Sequence, residues 1–307
     1  MLHNFGEVVT KAKKFGQVVI SVAAAQDKEV LEAVKAAMDV GLATAILVGD
    51  AEIIRPLLAE VGLPADIQIV HESDVKQAAL TATSLVRNGE AQVLMKGLVN
   101  SGDFLKAVLN VEVGLRTGRT LSHFAVFEDP NGTKLLYHSD GGMNIAPNLE
   151  AKKDILTNSM MALDNLGINM PKVAILAANE VVNPKMQATM DAKALVDMHI
   201  AGDLFPESII EGPIAIDVAL NPEAAKHKGL TSKIAGDVDL FIFPTIEAGN
   251  LVAKALIYYA KFKNSGVILG ATNPIVMVSR ADSSESKLNS IALACLLAGG
   301  ARKNKEI

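Results

Sequence analysis

The sequence predicts an α/β fold: two doubly wound α/β domains with a cleft between them. Three observations carry this. The chain has 307 residues, more than one small domain needs and comfortable for two. Half of the residues are hydrophobic, yet aromatics make up only 4% and tryptophan is absent, so the core must be built from Ala, Val, Ile, Leu and Met. Such a core suits parallel strands covered by helices on both faces. Third, strand-like and helix-like segments alternate, with short breaks and no linker rich in Pro or Ser, which implies an intimate domain boundary.

In chain order, Gln17 to Ala23 reads as a buried strand. Lys28 to Val40 is helical, with Val30, Leu31, Val34, Ala37 and Met38 on one face and Gly41 as its stop. Thr44–Val48, Ile67–Val70 and Ala91–Met95 are strands, and Val75–Arg87 is a helix. The rhythm then changes. Ser122–Glu128 and Lys134–Ser139 are strand-like, and Asn131-Gly132 between them signals a hairpin, the doorway to a second domain. Beyond it come helices at Leu149–Asn165, Asn183–Met198 and Gly249–Lys263, with strands at Lys172–Ala178, Asp239–Phe243 and Val267–Leu269. A last helix, Ser286–Ala298, is expected to stop at Gly299-Gly300, before a polar, frayed tail.

A formal charge of −5 gives no basic field for nucleic acid. A single cysteine excludes an intrachain disulfide and fits a reducing compartment. No apolar run reaches the roughly 18 residues that span a bilayer, and no signal peptide is evident. A soluble cytoplasmic protein without membrane or nucleic-acid partners is expected.

Four polar junctions follow strands. Met95-Lys96-Gly97-Leu98-Val99-Asn100 leads into a helix near Asp103. Amides at a helix start favour an anion and Lys96 adds a full charge, although an ordinary βα turn has the same pattern. Ser279-Arg280-Ala281-Asp282-Ser283 joins a hydroxyl, a guanidinium and a carboxylate. Asp282 can take the proton of a thiol with pKa ~8.5, and Arg280 can grip phosphate with two parallel bonds. Capping of the last helix by Ser283 or Ser284, with Asp282 and Glu285 at its positive end, explains the same letters, and both readings can hold. Phe243-Pro244-Thr245-Ile246-Glu247-Ala248-Gly249-Asn250 and Asp140-Gly141-Gly142-Met143-Asn144 are further polar turns at strand ends, which turn chemistry alone also explains.

Other patterns are discounted. Tyr137-His138-Ser139-Asp140 holds the letters of a triad, but adjacent strand residues point to opposite faces. The histidines lack metal-ligand spacing, so no metal is expected. Cys295 lies in an apolar helix as a structural thiol, and Met160-Met161 reads as core.

In order along the chain, Lys96-Gly97-Leu98-Val99, Leu115-Arg116-Thr117-Gly118, Ser139-Asp140-Gly141-Gly142-Met143-Asn144, Glu211-Gly212-Pro213-Ile214 with Asp217, Phe243 to Asn250 and Ser279-Arg280-Ala281-Asp282 resemble the phosphate acetyl/butyryl transferase family. The resemblance runs from about Gly97 to Ala298. The Ser-Arg-Ala-Asp and Asp-Gly-Gly-Met-Asn forms look more like its butyryl branch.

The resemblance implies two α/β domains related to the isocitrate/isopropylmalate dehydrogenase fold, 1–122 with 270–307 and 123–269. It implies a homodimer, an active site in the interdomain cleft, and direct transfer in a ternary complex: acyl-CoA plus phosphate gives acyl phosphate plus CoA. Coenzyme A is then a substrate, and no cofactor is permanently bound. By position, Ser279 would contact the reacting carbonyl or thiol and Arg280 the phosphoryl group. Acetyl-specific relatives carry an aspartate at the start of the last helix, where this chain has Ser286. Asp282 or Glu285 must substitute, and Asp282 is preferred. Those relatives also carry an arginine where Tyr258 stands, and a less charged pocket is consistent with a longer acyl chain. Lys96, Asn100, Arg116, Ser122, Asp140, Asn144, Asn250, Tyr258 and Glu285 complete the expected substrate-binding set. The competing readings are a phosphate acetyltransferase, a dehydrogenase on the related fold, and a non-catalytic acyl-CoA-binding protein.

Overall fold

Residues 2–132, 134–278 and 282–303 are described by a computed structural model, the side chains of the last two excepted. The chain runs α1 (Phe5–Lys13), β1 (Val18–Ala23), α2 (Lys28–Asp39), β2 (Ala43–Gly49), α3 (Ala51–Val61), β3 (Gln68–His71), α4 (Val75–Arg87), β4 (Val93–Lys96) and α5 (Ser101–Val108). The middle contributes β5 (Ser122–Glu128), β6 (Leu135–Ser139), α6 (Leu149–Asn165), β7 (Lys172–Leu176), α7 (Gln187–Ile200), β8 (Ile209–Ile214), α8 (Ile216–Leu220), α9 (Pro222–His227), β9 (Leu240–Ile242) and α10 (Ile246–Tyr258). The chain closes with β10 (Lys263–Leu269), β11 (Ile275–Val276) and α11 (Ser284–Lys303). Two compact units result: Asn4–Arg119 with Ser265–Ile307, and Met1–His3 with Thr120–Asn264.

In the first unit the strand order is β3-β2-β1-β4-β11-β10. All pairings are parallel except β10 with β11. β4 buries Val93, Leu94 and Met95 completely, and β2 buries all but Thr44, as strands covered on both faces must. Register fixes where these strands finish: Ala23 lies opposite Lys96, and Val276 opposite Met95. The carboxyl ends of β1, β4 and β11 therefore share one rim, where ligands sit in parallel sheets. α2 starts at an Asp27 cap and ends before Gly41 at φ 72°, a left-handed conformation that glycine adopts without strain.

In the second unit the order is β5-β6-β9-β7-β8. β5 and β6 form the antiparallel hairpin, closed by the Gly132 amide donating to Asp129 O at 3.0 Å. Its other strand pairings are parallel. The core includes Ala174, Ile214, Val218, Ile234, Phe241 and Phe243. Lys152 of α6 and Asp191 of α7 form a buried ion pair at 2.6 Å, and Gln187 donates to the other Asp191 oxygen at 2.7 Å.

Several sequence expectations need correction. α11 does not stop at Gly299-Gly300 but continues to Lys303. A Cβ on Gly299 would lie 2.5 Å from the Phe15 ring, so this glycine serves close packing rather than termination. α10 begins at Ile246 behind a Thr245 cap, which places Gly249 inside the helix. Met160 is buried as expected, but Met161 is 47% exposed.

Candidate active site

The Lys96 loop is shaped by backbone approach. Gly97 N donates to Ala23 O at 2.8 Å and Leu98 N to Ala24 O at 2.7 Å. A Cβ on Gly97 would come 2.4 Å from Ala24 O, so a side chain there would force the strand ends apart. Half-buried Lys96 directs its ammonium to Gly97 O at 3.3 Å. Asn100 caps α5: its Oδ1 accepts from Asp103 N at 2.8 Å and its Nδ2 donates to Asp103 Oδ2 at 2.6 Å. That second bond, with Lys106 behind it, holds the Asp103 carboxyl below the usual carboxylate range. Arg116 is exposed, and its backbone bridges Ala271 while Thr272 N donates to Leu115 O at 2.9 Å.

A cavity of about 30 Å³ opens at this rim, lined by Asp27, Glu29, Val30, Lys96, Gly97, Val278 and Lys287. Asp27 is occupied as the α2 cap, accepting from Val30 N at 3.1 Å. Glu29, one residue into that helix turn, holds the Lys287 ammonium at 2.7 Å. The Lys287 side chain is only 10% exposed, against 56% for Glu29. Ser283 is the residue that caps α11, accepting from Ser286 N at 3.1 Å. Half-buried Asp282 precedes it, and exposed Glu285 follows in the first turn, where negative charge is favoured. Ser279 and Arg280 lie outside the described residues, between Val278 and Asp282 in the chain.

In the second unit, Asp140 is 2% exposed and organises its own turn. Its oxygens accept from Gly142 N at 2.7 Å, Met143 N at 2.9 Å, Asn144 N at 3.2 Å and Asn144 Nδ2 at 2.6 Å. Asn144 Nδ2 also donates to Leu121 O at 2.8 Å. The start of α10 packs directly on this turn. A Cβ on Gly249 would lie 2.7 Å from both Asp140 O and Gly141 Cα, and Asn250 Nδ2 donates to Gly141 O at 3.2 Å. Two motifs 109 residues apart thus form one body. Ser122 is fully buried and accepts from Asn158 Nδ2 at 3.0 Å, which anchors β5 to α6. Tyr258 is 57% exposed on α10, with Lys254 Nζ 6.0 Å from its ring centroid.

The structure therefore brings Lys96 to one rim with Lys287, Asp27 and Glu29, which were not singled out in the sequence. It also groups Asp140, Asn144 and Asn250. Lys287 had a legible signal: it shares a helical face with Ile291, Cys295 and Ala298, all buried, so a cation stands on an apolar stripe. A second cavity, about 520 Å³, runs along β8. It contains none of the expected site residues, and Glu211 there accepts from Ser232 Oγ at 2.6 Å and Lys233 N at 2.7 Å. Among the described residues, no cluster of His, Cys, Asp or Glu could hold a metal ion.

Comparison with known proteins accords with the motif order. The "phosphate acetyl/butaryl transferase" family model matches residues 63–295. The phosphate butyryltransferase of Clostridium acetobutylicum is 47% identical over 97% of this chain and 99% of its own. A phosphate acetyltransferase of Thermotoga maritima is 40% identical over 91% of this chain and 95% of its own. A branched-chain phosphotransacylase from Enterococcus faecalis superposes with a TM-score of 0.80 at 33% identity, covering 92% of this chain and 99% of that one. A 4-hydroxythreonine-4-phosphate dehydrogenase from Klebsiella pneumoniae shares the fold at a TM-score of 0.59 and 15% identity, covering 92% and 99%. With a family match across most of its length and full-length relatives of this identity, the chain belongs to the phosphate acetyl/butyryl transferase family.

Proposed function

We propose that this chain is a phosphate butyryltransferase, converting butyryl-CoA and inorganic phosphate to butyryl phosphate and CoA by direct transfer. The observation that carries the reading is 47% identity, over 97% of the chain, to the Clostridium acetobutylicum phosphate butyryltransferase. In the proposed step a phosphate oxygen adds to the thioester carbonyl, the carbon–sulfur bond breaks, and the phosphate proton ends on the CoA sulfur. In reverse the thiol gives its proton to Asp282, the thiolate attacks the acyl phosphate carbonyl, the acyl carbon–oxygen bond breaks, and the departing phosphate takes the proton from Asp282. Arg280 holds the phosphoryl group and Ser279 contacts the carbonyl or thiol. Lys96 and Arg116 supply positive charge for phosphates, which they can meet by charge-assisted hydrogen bonds. Asn100, Ser122, Asp140, Asn144, Asn250, Tyr258 and Glu285 contribute through the turns and walls they form.

We also infer a cytoplasmic homodimer. A single, buried cysteine fits a reducing compartment, and among the described residues no helix is long and apolar enough to cross a membrane. α10 buries only Gly249 and leaves Leu251 71% exposed, and Tyr259 just past its end is 90% exposed, an apolar face suited to a second copy.

The second reading is a phosphate acetyltransferase, favoured by the 40% identity to the Thermotoga maritima enzyme. The test of the shared chemistry is CoA release from butyryl-CoA that requires phosphate. Absence of release by the folded protein would contradict it. Asp282→Asn is expected to slow the CoA-consuming direction by about 10²-fold or more at neutral pH, and less at high pH where thiolate forms unaided. If Glu285→Gln behaves this way and Asp282→Asn does not, the base is Glu285.

A further inference from the structure

Lys287 is a buried cation on the helical face of α11 that continues through Ile291, Ala294 and Ala298. Its residue is 8% exposed, and its ammonium meets the Glu29 carboxylate at 2.7 Å across from α11 to α2. An ammonium so placed must keep an anionic partner, because an unpaired buried charge is strongly destabilising. The partner it has is the more solvated member, 56% exposed against 10%, and can return to water at lower cost. The pair lines the same cavity as Lys96, at the rim where β1, β4 and β11 end. The starts of α2 and α11 supply this pair of residues, and helix starts favour negative charge. Val278, in the cavity wall, is the residue before Ser279 in the chain.

We propose that Lys287 is a phosphate ligand, and that its ammonium exchanges the Glu29 carboxylate for an oxygen of the reacting phosphoryl group. Glu29 is then a competing internal anion that keeps Lys287 paired between turnovers. The assignment to the reacting phosphate rests on the transferase reading above; phosphate binding at Lys287 does not. A simple tie between two helices would use the same pair, but it makes a different prediction. Loss of either member of a tie has the same sign, whereas loss of a ligand and loss of its competitor have opposite signs.

The experiment compares wild type, Lys287→Met, Lys287→Arg and Glu29→Gln. KM is measured separately for inorganic phosphate and for butyryl-CoA, with phosphate-induced rise in melting temperature as a second readout. Lys287→Met is expected to raise KM for phosphate about tenfold or more, the scale of one charge-assisted hydrogen bond, with KM for butyryl-CoA within about twofold. Lys287→Arg should recover part of the loss. Glu29→Gln should lower KM for phosphate and enlarge the phosphate-induced melting shift. Unchanged KM for phosphate in folded Lys287→Met overturns the proposal, and so does a parallel rise in Glu29→Gln. A rise confined to CoA that vanishes with dephospho-CoA also overturns it, by assigning Lys287 to the CoA 3′-phosphate. If wild type releases no CoA, the transferase reading fails, while the melting shift with inorganic phosphate still tests the ligand. Should Lys287→Met not fold, wild type answers alone. Phosphate, against chloride at equal ionic strength, must slow acylation of Lys287 by an amine reagent, followed by mass spectrometry. Equal rates overturn the assignment.

Discussion

His138 shows how a single side chain can mislead a reader of the sequence. It stands between Tyr137 and Ser139 with Asp140 beyond, yet its ring packs on Phe127, Phe241 and Phe243 at centroid distances of 4.7, 5.2 and 5.2 Å. Its Nδ1 is buried with no hydrogen-bond partner among the described residues. Burial alone pushes its pKa down to about 3 from an ordinary 6.5. The folded state thus holds the ring neutral at a pH where the unfolded chain already binds a proton. Stability from this residue is fully present above pH ~6.5 and is lost as pH falls toward ~3, at about 1.4 kcal/mol per unit. Between pH 7 and pH 5 that amounts to about 2 kcal/mol. His138→Phe should reduce the pH 7-to-5 loss of unfolding free energy by that amount in denaturant titrations, and an identical loss in both proteins would refute the account. Cys295 was legible from its apolar neighbours: it is buried, and burial pushes its thiol up to about 12. Lys287 was legible only from the apolar residues one to three turns further along its helix, because the serines, Glu285 and Asn289 around it read locally as a solvated helix start. Only the fold reveals that Glu29, 258 residues away, is its partner.

At the scale of elements, strong signals were local ones. α2 follows from its apolar spacing and glycine stop, and the β5–β6 hairpin from the polar turn letters before Leu135, although the turn itself spans Asp129 to Gly132 with Pro130-Asn131 at its centre. Glycine was the ambiguous letter. Gly41 ends a helix, while Gly249 and Gly299 lie within helices and admit a neighbour, which no local pattern distinguishes. β8 was missed because Glu211-Gly212-Pro213 interrupts its apolar run, and such residues weaken a strand reading. α7 begins later than expected because Asn183 and Pro184 form a turn, with Met186 N donating to Asn183 O at 2.8 Å. Gly249→Ala tests the packing of α10 on the Asp140 turn. Its Cβ would meet backbone atoms at 2.7 Å, and overpacking of this kind costs ~1–3 kcal/mol. Gly102→Ala in α5 is the control: its Cβ would make an ordinary 3.5 Å contact, and helix propensity should raise stability by ~0.5–1 kcal/mol. Thermal melts of the two variants should therefore move in opposite directions. Equal shifts would mean that Gly249 is not needed for close approach.

For the molecule as a whole, composition and alternation pointed to parallel α/β sheets, and the sheet order of each unit bears this out. Chemistry was less legible than architecture. The same fold is shared with a dehydrogenase at 15% identity, so only the ordered motifs separate an acyl transferase from a redox enzyme. Acyl preference is weaker still in the sequence, since one methylene discriminates by only ~1–3 kcal/mol in an apolar pocket. Relatives at 47% and 40% identity carry butyryl and acetyl names respectively. The most direct measurement is phosphate-dependent release of CoA thiol from acetyl-, propionyl-, butyryl- and isobutyryl-CoA, followed with a thiol reagent. Release is expected to require phosphate and to peak at four carbons. Release from none of the four thioesters by the folded protein would contradict the transferase itself, and a peak at acetyl-CoA would contradict the butyryl assignment.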